Sequence, residues 1–409
     1  IIGAGAAGLM AANECKRLGE SILVIDRNNR PGKKIALTGK GRCNVTTFNK
    51  DLNDLVSKYQ RNGKFLYGAF SRFGVEDTMK YFESLGVKLK VERGNRVFPE
   101  SDKAVDIIYA LQNAVIDYIL PDTSVLEFKL DGNKISSVVT YKGEFQARRY
   151  ILATGGKSYP ITGSNGDGYK LAESVGHTIT KPKPALVPVI CNEKWIKELA
   201  GLSLKYVTIS VLQNSKKVCE RFGEALFTHE GMSGPIIIDM SREIGDTLEK
   251  GKVELSIDFK PAIDNETLDK RIISDFDEFR NKQFRNSLKN LVPSTLIPVL
   301  IALSGIDPNK KVAEVTKEER KRLLSLLKDF RLTVKSIDGW DKAIVTCGGV
   351  NIKEIEPGTM KSKIVDNLYF AGEIIDVNGP TGGYNLQLCW STAICAAEGR
   401  VRKNTTKER

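Results

Sequence analysis

The N-terminal segment Ile1-Ile2-Gly3-Ala4-Gly5-Ala6-Ala7-Gly8 places three glycines in a G-x-G-x-x-G pattern directly after apolar residues. The residues 6–18 have an amphipathic pattern that predicts a helix, and the apolar run at residues 22–25 predicts a second strand. This strand ends at Asp26. The order of strand, glycine turn, helix, strand and acid restricts the fold far more than the glycines alone, and it predicts a dinucleotide-binding unit.

Each residue of this motif has its own physical role. Gly3 permits a sharp turn, Gly5 lets the backbone approach a pyrophosphate, and Gly8 allows the helix to pack closely on the strand. The unpaired N–H groups at the helix start favour phosphate. Asp26 lies close to where an acidic residue binds a ribose hydroxyl.

The composition is that of a globular protein of two or three domains, with 409 residues, 41% of them hydrophobic and 27% charged. No run approaches the roughly 18 apolar residues of a membrane span, and no signal peptide is evident, so we expect a cytoplasmic protein with no membrane partner. Seven cysteines without a C-x-x-C pair argue against a disulfide framework or a structural zinc site. With only two histidines, we expect no metal centre.

The net charge of +12 is unevenly distributed. Residues 27–103 contain 17 Lys and Arg against 8 Asp and Glu. Composition alone favours a solvated face with a few cations serving the cofactor phosphates. The alternative is a surface that attracts a polyanion such as RNA.

A second glycine-rich segment follows the nucleotide motif. Lys33 and Lys34 precede residues 39–44, Gly-Lys-Gly-Arg-Cys-Asn, which suit contacts with phosphate or ribityl groups. Arg42 could form bidentate bonds there. The alternative is an ordinary basic loop. Cys43 is a candidate reactive thiol beside the cofactor, although no basic partner can be assigned to it from sequence.

The rest of the chain predicts an interrupted domain. A buried strand around residues 145–152 leads into Ala153-Thr154-Gly155-Gly156 and then a glycine-rich loop, which together favour a cofactor wall. Prolines at residues 182–188 mark a boundary. We assign residues 1–185 to the first part of the nucleotide-binding domain, 186–336 to an insertion (β-rich at 186–260, helical at 261–336), and 337–409 to the second part.

These blocks together resemble the YhiN/BaiN-like family of bacterial NAD(P)/FAD-dependent oxidoreductases, also described as aminoacetone oxidase-like flavoproteins. The matching blocks are residues 3–8, 39–44, 153–169, 223–235, 346–350 and 369–387. The resemblance implies an α/β fold. It consists of a Rossmann-like FAD-binding domain of the two-dinucleotide-binding-domain flavoprotein type, interrupted by a β-barrel-like plus helical insertion. Many members have an aromatic residue where Pro380 stands, so substrate specificity cannot be transferred.

By this resemblance, FAD is bound along the glycine turn, the basic loop, the 153–156 segment and the start of the last helix. Glu373 occupies the position of an acid on the ribityl chain. The expected cofactor-binding residues are Gly3, Gly5, Ala6, Ala7, Gly8, Asp26, Arg27, Lys33, Lys34, Gly41, Arg42, Cys43, Asn44, Ala153, Thr154, Gly155, Gly156, Gly372, Glu373, Gly383, Tyr384 and Asn385.

A flavin supplies hydride chemistry, so the protein has to position a substrate and provide a proton. The candidate proton donors are Tyr384, Cys347, His229 and Glu373. Each has a non-catalytic alternative: Tyr384 and Cys347 could pack in the core, His229 could cap a turn, and Glu373 could be engaged by ribityl. The catalytic residue stays open.

Three functions compete. The first is a reductase that passes hydride from NAD(P)H through FAD to an activated C=C bond, in a steroid-like enone or a uracil of ribosomal RNA. The second is a small-amine oxidase that produces hydrogen peroxide. The third is an RNA- or ribosome-binding protein with structural FAD. The absence of a second glycine fingerprint weakens a dedicated nicotinamide site. The substrate, the electron donor and the oligomeric state stay open.

Overall fold

The computed structural model describes residues 1–59 and 61–399, which divide into two compact units. Of these residues, unit 1 comprises those within 1–185 and 340–399, and unit 2 is Leu186–Gly339. Residues 400–409, part of the expected second segment of the nucleotide-binding domain, lie outside the described residues.

The helices are longest at the two ends of unit 1 and in unit 2. They are α1 (Ala6–Arg17), α2 (Lys33–Leu37), α3 (Leu52–Ser57), α4 (Tyr67–Arg72), α5 (Val75–Ser84), α6 (Ala104–Gln112), α7 (Asp167–Ser174), α8 (Pro235–Leu248), α9 (Asn265–Glu278), α10 (Ile297–Ser304), α11 (Lys317–Lys328) and α12 (Tyr384–Glu398).

The strands are short in unit 1 and long in unit 2. They are β1 (Val24–Ile25), β2 (Thr46–Thr47), β3 (Leu89–Glu92), β4 (Arg96–Pro99), β5 (Ile119–Leu120), β6 (Val125–Asp131), β7 (Lys134–Thr140), β8 (Gly143–Phe145), β9 (Tyr150–Leu152), β10 (Ile179–Ala185), β11 (Val189–Cys191), β12 (Ser203–Gln213), β13 (Lys216–Phe227), β14 (Gly231–Ser233), β15 (Val253–Asp258), β16 (Phe330–Ile337), β17 (Val345–Val350) and β18 (Leu368–Phe370).

Unit 1 is built on a parallel sheet. β1 pairs with β5 and β9 pairs with β18, both in parallel. Ile2 joins the two pairs through parallel bridges to Ile25 and Leu152. The residues of β1, β9 and β18 are fully buried, as expected for parallel strands covered on both faces. Helices α1 and α12 pack against each other beside this sheet.

Three antiparallel pairings complete unit 1. They are the sheet β2–β4–β3, the meander β6–β7–β8, and the pair β10–β17. The run around residues 145–152, interpreted as one strand, is two: β8 ends the meander, whereas β9 joins the parallel sheet. The division follows from burial, because Tyr150–Leu152 is entirely apolar and buried while β8 is mostly exposed.

Unit 2 contains a closed barrel in the order β11-β14-β13-β12-β15-β16. Alternate residues of its strands, such as Val253, Leu255 and Ile257 of β15, point into a separate apolar core. Helices α8 to α11 bury their apolar faces in the same core. The interpretation of residues 261–336 as helical is wrong at its end, because β16 begins at Phe330 and pairs with β11 and β15.

Candidate cofactor site

A large cavity lies in unit 1 along the start of α1 and the carboxyl ends of β1 and β9. Its empty volume, including the open mouth, is about 1360 Å³. The walls also include residues 162–168 and residues from the last helix. A cavity at the carboxyl ends of parallel strands is the usual ligand position in this kind of fold.

The three glycines of the first turn have different surroundings. A Cβ at Gly3, where φ is +101°, would lie 2.6 Å from the Ala153 carbonyl oxygen, and one at Gly8 would lie 1.8 Å from the Gly3 oxygen. A Cβ at Gly5 would meet no atom within 4 Å, and Gly5 lines the cavity with Ala6 and Ala7. Gly3 and Gly8 therefore shape the turn, whereas Gly5 leaves its backbone open to a ligand.

Asp26 is buried at the cavity wall. Its Oδ2 accepts a hydrogen bond from the Ala4 N–H at 2.5 Å, and its Oδ1 accepts one from the Asn28 N–H at 2.7 Å. A carboxylate has about four acceptor sites, so these bonds fix its orientation and leave capacity for a ribose hydroxyl. Arg27, also at the wall, pairs with Asp167 at 2.7 Å.

Lys34 and Glu373 form an ion pair at the cavity wall. Lys34 Nζ lies 2.6 Å from Glu373 Oε2 and donates to Ser158 Oγ at 2.6 Å. Glu373 Oε1 accepts from Ser158 Oγ at 2.8 Å and from the Thr346 N–H at 2.7 Å. A carboxylate with this set of donors acts as an acceptor, which argues against Glu373 as the proton donor. Lys33 also lines the cavity, with no ion pair among the described residues.

The basic loop at residues 39–44 differs from its expected role. Gly41, Arg42, Cys43 and Asn44 are not among the described residues that line the cavity. Arg42 instead forms ion pairs with Glu92 and Asp102, and its guanidinium lies 4.0 Å from the centre of the Phe98 ring. The expectation that Arg42 contacts the cofactor is therefore not supported. Its guanidinium is hydrogen-bonded to Glu92 and Asp102, which lie 50 and 60 residues further along the chain.

Cys43 is fully buried. Burial raises the pKa of its thiol to about 12. A reactive cysteine needs a lowered pKa and solvent access, so Cys43 lacks the features of a reactive thiol.

The segment 153–156 contributes three residues to the cavity wall and one residue behind that wall. Ala153, Thr154 and Gly155 line the cavity, and the Thr154 hydroxyl is buried without a hydrogen-bond partner among the described residues. Gly156 lies behind the wall, where a Cβ would be 2.2 Å from Thr346 Oγ1. The unpartnered hydroxyl is a polar group that a bound ligand would satisfy.

The start of α12 packs tightly beside the cavity. Asn385 lines the cavity, but its amide accepts from the Gly379 N–H and donates to the Gly379 and Pro380 carbonyl oxygens. A Cβ at Gly383, where φ is +94°, would lie 2.3 Å from the Thr46 carbonyl carbon, and one at Gly372 would lie 2.7 Å from Ala7 Cβ. Asn385, Gly383 and Gly372 therefore build this part of the fold.

The candidate proton donors are not brought together. Cys347 is buried on β17, and the ring of Tyr384 packs edge-on against Tyr59 at 5.9 Å. His229 is exposed in unit 2. Of the described residues, those lining the cavity include neither Cys347, Tyr384 nor His229.

Sequence reasoning missed part of the wall. Residues 123–125, Ile344, Val345, Leu388 and Cys389 all line the cavity. Leu388 and Cys389 lie three and four residues after Asn385, so helical spacing could have indicated them. Residues 123–125 belong to no recognisable sequence motif, and the topology of the sheet brings them to the cavity.

The cavity suits a dinucleotide such as the expected FAD. The open backbone at Gly5 and the start of α1 suit a pyrophosphate, Asp26 suits a ribose hydroxyl, and the Thr154 hydroxyl needs a partner. Among the described residues, no group of three or more His, Cys, Asp or Glu could hold a metal ion. In the same part of the chain, no helix is long and apolar enough to span a membrane.

Comparison with known proteins gives one matching family model, described as HI0933-like protein Rossmann domain, which covers residues 1–399. Among curated proteins, the chain is 32% identical over 410 residues to the 3-dehydro-bile acid delta(4,6)-reductase of Clostridium scindens, covering 98% of each chain. It is 31% identical over 405 residues to the ribosomal RNA dihydrouridine synthase of Haemophilus influenzae, covering 97% of this chain and 96% of the relative.

Among solved structures, the chain resembles 3-ketosteroid delta1-dehydrogenase from Sterolibacterium denitrificans in complex with 1,4-androstadiene-3,17-dione. The TM-score is 0.53 at 12% identity, with 97% of this chain and 98% of the other covered. At this identity the likeness concerns the fold alone.

Proposed function

Because the chain belongs to the HI0933-like Rossmann family of flavin-dependent oxidoreductases, we propose that it reduces an activated C=C bond with electrons from NAD(P)H. The observation that carries this proposal is the full-length similarity to two relatives whose names describe such reductions, of a bile acid and of a uridine. The cavity supports the proposal because its glycine turn, acid and unpartnered hydroxyl suit FAD.

When bound, FAD would supply the transfer of hydride between NAD(P)H and the substrate. The chain's own residues hold the cofactor. The N–H groups at the start of α1 bind the pyrophosphate beside Gly5, Asp26 accepts from the ribose, and Lys33 contributes positive charge. The Lys34–Glu373 ion pair holds two parts of the cavity wall together, since both residues line the cavity.

The test is anaerobic mixing of the FAD-loaded protein with NADPH or NADH while the flavin absorbance is followed. We expect rapid bleaching by at least one nucleotide, and recovery of the absorbance when the C=C acceptor is added. Bleaching by small amines but by neither nucleotide, with hydrogen peroxide formed in air, would make the protein an oxidase. A flavin that binds but is reduced by none of these donors would indicate a structural role.

A charged sheet face in unit 1 favours a uracil of RNA over a steroid-like enone as the substrate. We define the basic sheet face as Lys88, Lys90, Arg93 and Arg96 of the β3–β4 hairpin together with Arg42, which lies over the ring of β4 residue Phe98. Lys90 pairs with Asp102, and Arg42 pairs with Asp102 and Glu92. Lys88 and Arg93 are exposed and have no ion pair within the described residues. An excess of cations on one face attracts a phosphate backbone.

The RNA proposal can be tested with the triple variant K88Q/R93Q/K103Q, which removes Lys88 and Arg93 of the basic sheet face together with the exposed Lys103, next to Asp102 in sequence, and keeps the ion-paired cations. We expect weaker binding of unmodified ribosomal RNA and a salt slope of log K against log [salt] reduced by about 2 to 3, because each phosphate that is no longer neutralised lowers the slope by about one. The control is K216Q/K289Q/K311Q, which removes three exposed cations of unit 2 that have no ion pair among the described residues.

Equal losses of RNA affinity in the two variants would contradict a role for the basic sheet face. Reduction of a 3-oxo-Δ4 steroid, with no reduction of uracil in RNA, would assign the chain to enone chemistry instead.

A further inference from the structure

Residues 160–167 form a strap along one wall of the cavity. Residues 162–167 all line it. The backbone is left-handed at Tyr159, Gly163 and Gly166, with φ of +51°, +99° and +89°. Glycine adopts these angles without strain, whereas tyrosine does so only when its surroundings impose it. The strap therefore has one defined path.

The strap is tied to the chain immediately after β1. Arg27 Nη1 donates to Asp167 Oδ2 at 2.7 Å, and Asn28 Nδ2 donates to the Thr162 carbonyl oxygen at 3.0 Å. A Cβ at Gly163 would lie 2.6 Å from Asn28 Nδ2. Two segments separated by 140 residues in sequence are thus held in contact at the cavity wall.

The position of these contacts indicates what the strap encloses. Arg27 and Asn28 directly follow Asp26, the acid suited to the ribose of the adenosine half. Because both sides of the Arg27–Asp167 pair line the cavity, a ligand held by Asp26 lies beside the pair. A ligand held by Asp26 would therefore have the joined segments along one side.

We propose that the Arg27–Asp167 ion pair is a clasp that slows release of FAD by holding the strap against residues 27–28. The inference rests on the proposed FAD site. The side chains of Arg27 and Asp167 are 36% and 45% exposed, so the clasp is accessible to salt and opens without unfolding the core. It is a positioning device and takes no part in hydride transfer.

Two features separate a clasp from a direct contact of Arg27 with the cofactor. In a clasp, removing either partner has the same effect, and removing both adds nothing further. Reversing both charges restores the interaction. If Arg27 contacted the cofactor directly, only substitutions of Arg27 would change the rate of FAD release.

The experiment measures the rate of FAD release from the holoenzyme after dilution, by the increase in flavin fluorescence. D167N and R27Q should each release FAD about threefold faster, the size expected for one exposed ion pair. The double variant should match the singles, and the charge-swapped R27D/D167R should return towards the wild-type rate. Raising the salt concentration should speed release from the wild type and leave D167N nearly unchanged.

The control is E76Q, which removes the exposed Lys50–Glu76 pair of similar length, 2.7 Å, away from the cavity lining. It should release FAD at the wild-type rate. FAD release from D167N at the wild-type rate, or an effect confined to R27Q, would overturn the clasp alone. A wild-type protein that binds no FAD would overturn the cofactor site as well.

Discussion

The turn at residues 3–8 and the loop at residues 39–44 are both glycine-rich, but different interactions fix them. In the turn, backbone atoms surround Gly3 and Gly8 so closely that a side chain has no space. In the loop, the position of Arg42 is set by Glu92 and Asp102 on another part of the chain. A glycine turn therefore fixes its own geometry, whereas a basic loop takes its geometry from partners that lie elsewhere.

The largest expected effect is a difference between Gly8 and Gly5 of the turn in what an alanine substitution does to stability and to FAD binding. Gly8→Ala places a Cβ 1.8 Å from the Gly3 oxygen and should lower the free energy of unfolding by about 3 kcal/mol. Gly5→Ala has open space around the new atom, and its φ of −83° suits alanine. It should leave the stability of the apo protein within about 0.5 kcal/mol but weaken FAD binding at least tenfold, because the Cβ enters the cavity.

Denaturant unfolding and FAD titration of both variants check this prediction. If Gly5→Ala binds FAD like the wild type, the cofactor does not approach the turn as proposed. Gly339→Ala, where φ is also not left-handed and no atom lies within 4 Å of the new Cβ, is a control for adding a methyl group away from the cavity lining.

A smaller effect compares one cation of the cavity wall with one of the loop. Lys34→Met leaves the carboxylate of Glu373, which is only 15% exposed, without its cation. We expect a loss of about 1–3 kcal/mol in the free energy of unfolding and weaker FAD binding. Arg42→Met leaves acids that still have Lys90 nearby, and it should lower the free energy of unfolding less than Lys34→Met does, without changing FAD affinity. If Arg42→Met weakened FAD binding more than Lys34→Met, Arg42 would be assigned to the cofactor site.

The smallest effect concerns cysteines in the two regions. Burial raises the pKa of both Cys43, in the loop, and Cys389, at the cavity wall, to about 12. At pH 8 only about one thiol in ten thousand is then a thiolate, the form that reacts with iodoacetamide. Mass spectrometry should find both thiols unmodified in the native protein and labelled after unfolding. Rapid native labelling of Cys43 would show that the loop opens to solvent.

The sequence predicted the parts of the site that depend on local geometry. Helix α1 begins and ends close to the residues expected from the apolar period, and Asp26 directly follows β1. The same holds for the Ala153–Gly155 wall, because a buried strand followed by small residues leaves few alternatives.

The remaining features depend on long-range pairing, which residue patterns do not encode. The separation of β9 from the meander is decided by which sheet buries Tyr150–Leu152. Strand β16 was interpreted as helical because its partners β11 and β15 lie far along the chain. The Lys34–Glu373 pair joins residues 339 positions apart, and no spacing rule links them.

The strands that flank the insertion have a consequence for the order of folding. In unit 1, Ala185 pairs with Val345, and in unit 2, Val189 pairs with Ile337. Closing a flexible loop of about 160 residues to form the first pair alone would cost roughly 4 kcal/mol of chain entropy. If the barrel folds first, its adjacent ends leave only residues 186–188 and 338–344 between the two strand pairs. The insertion would then serve as an internal crosslink that speeds assembly of the β10–β17 pair.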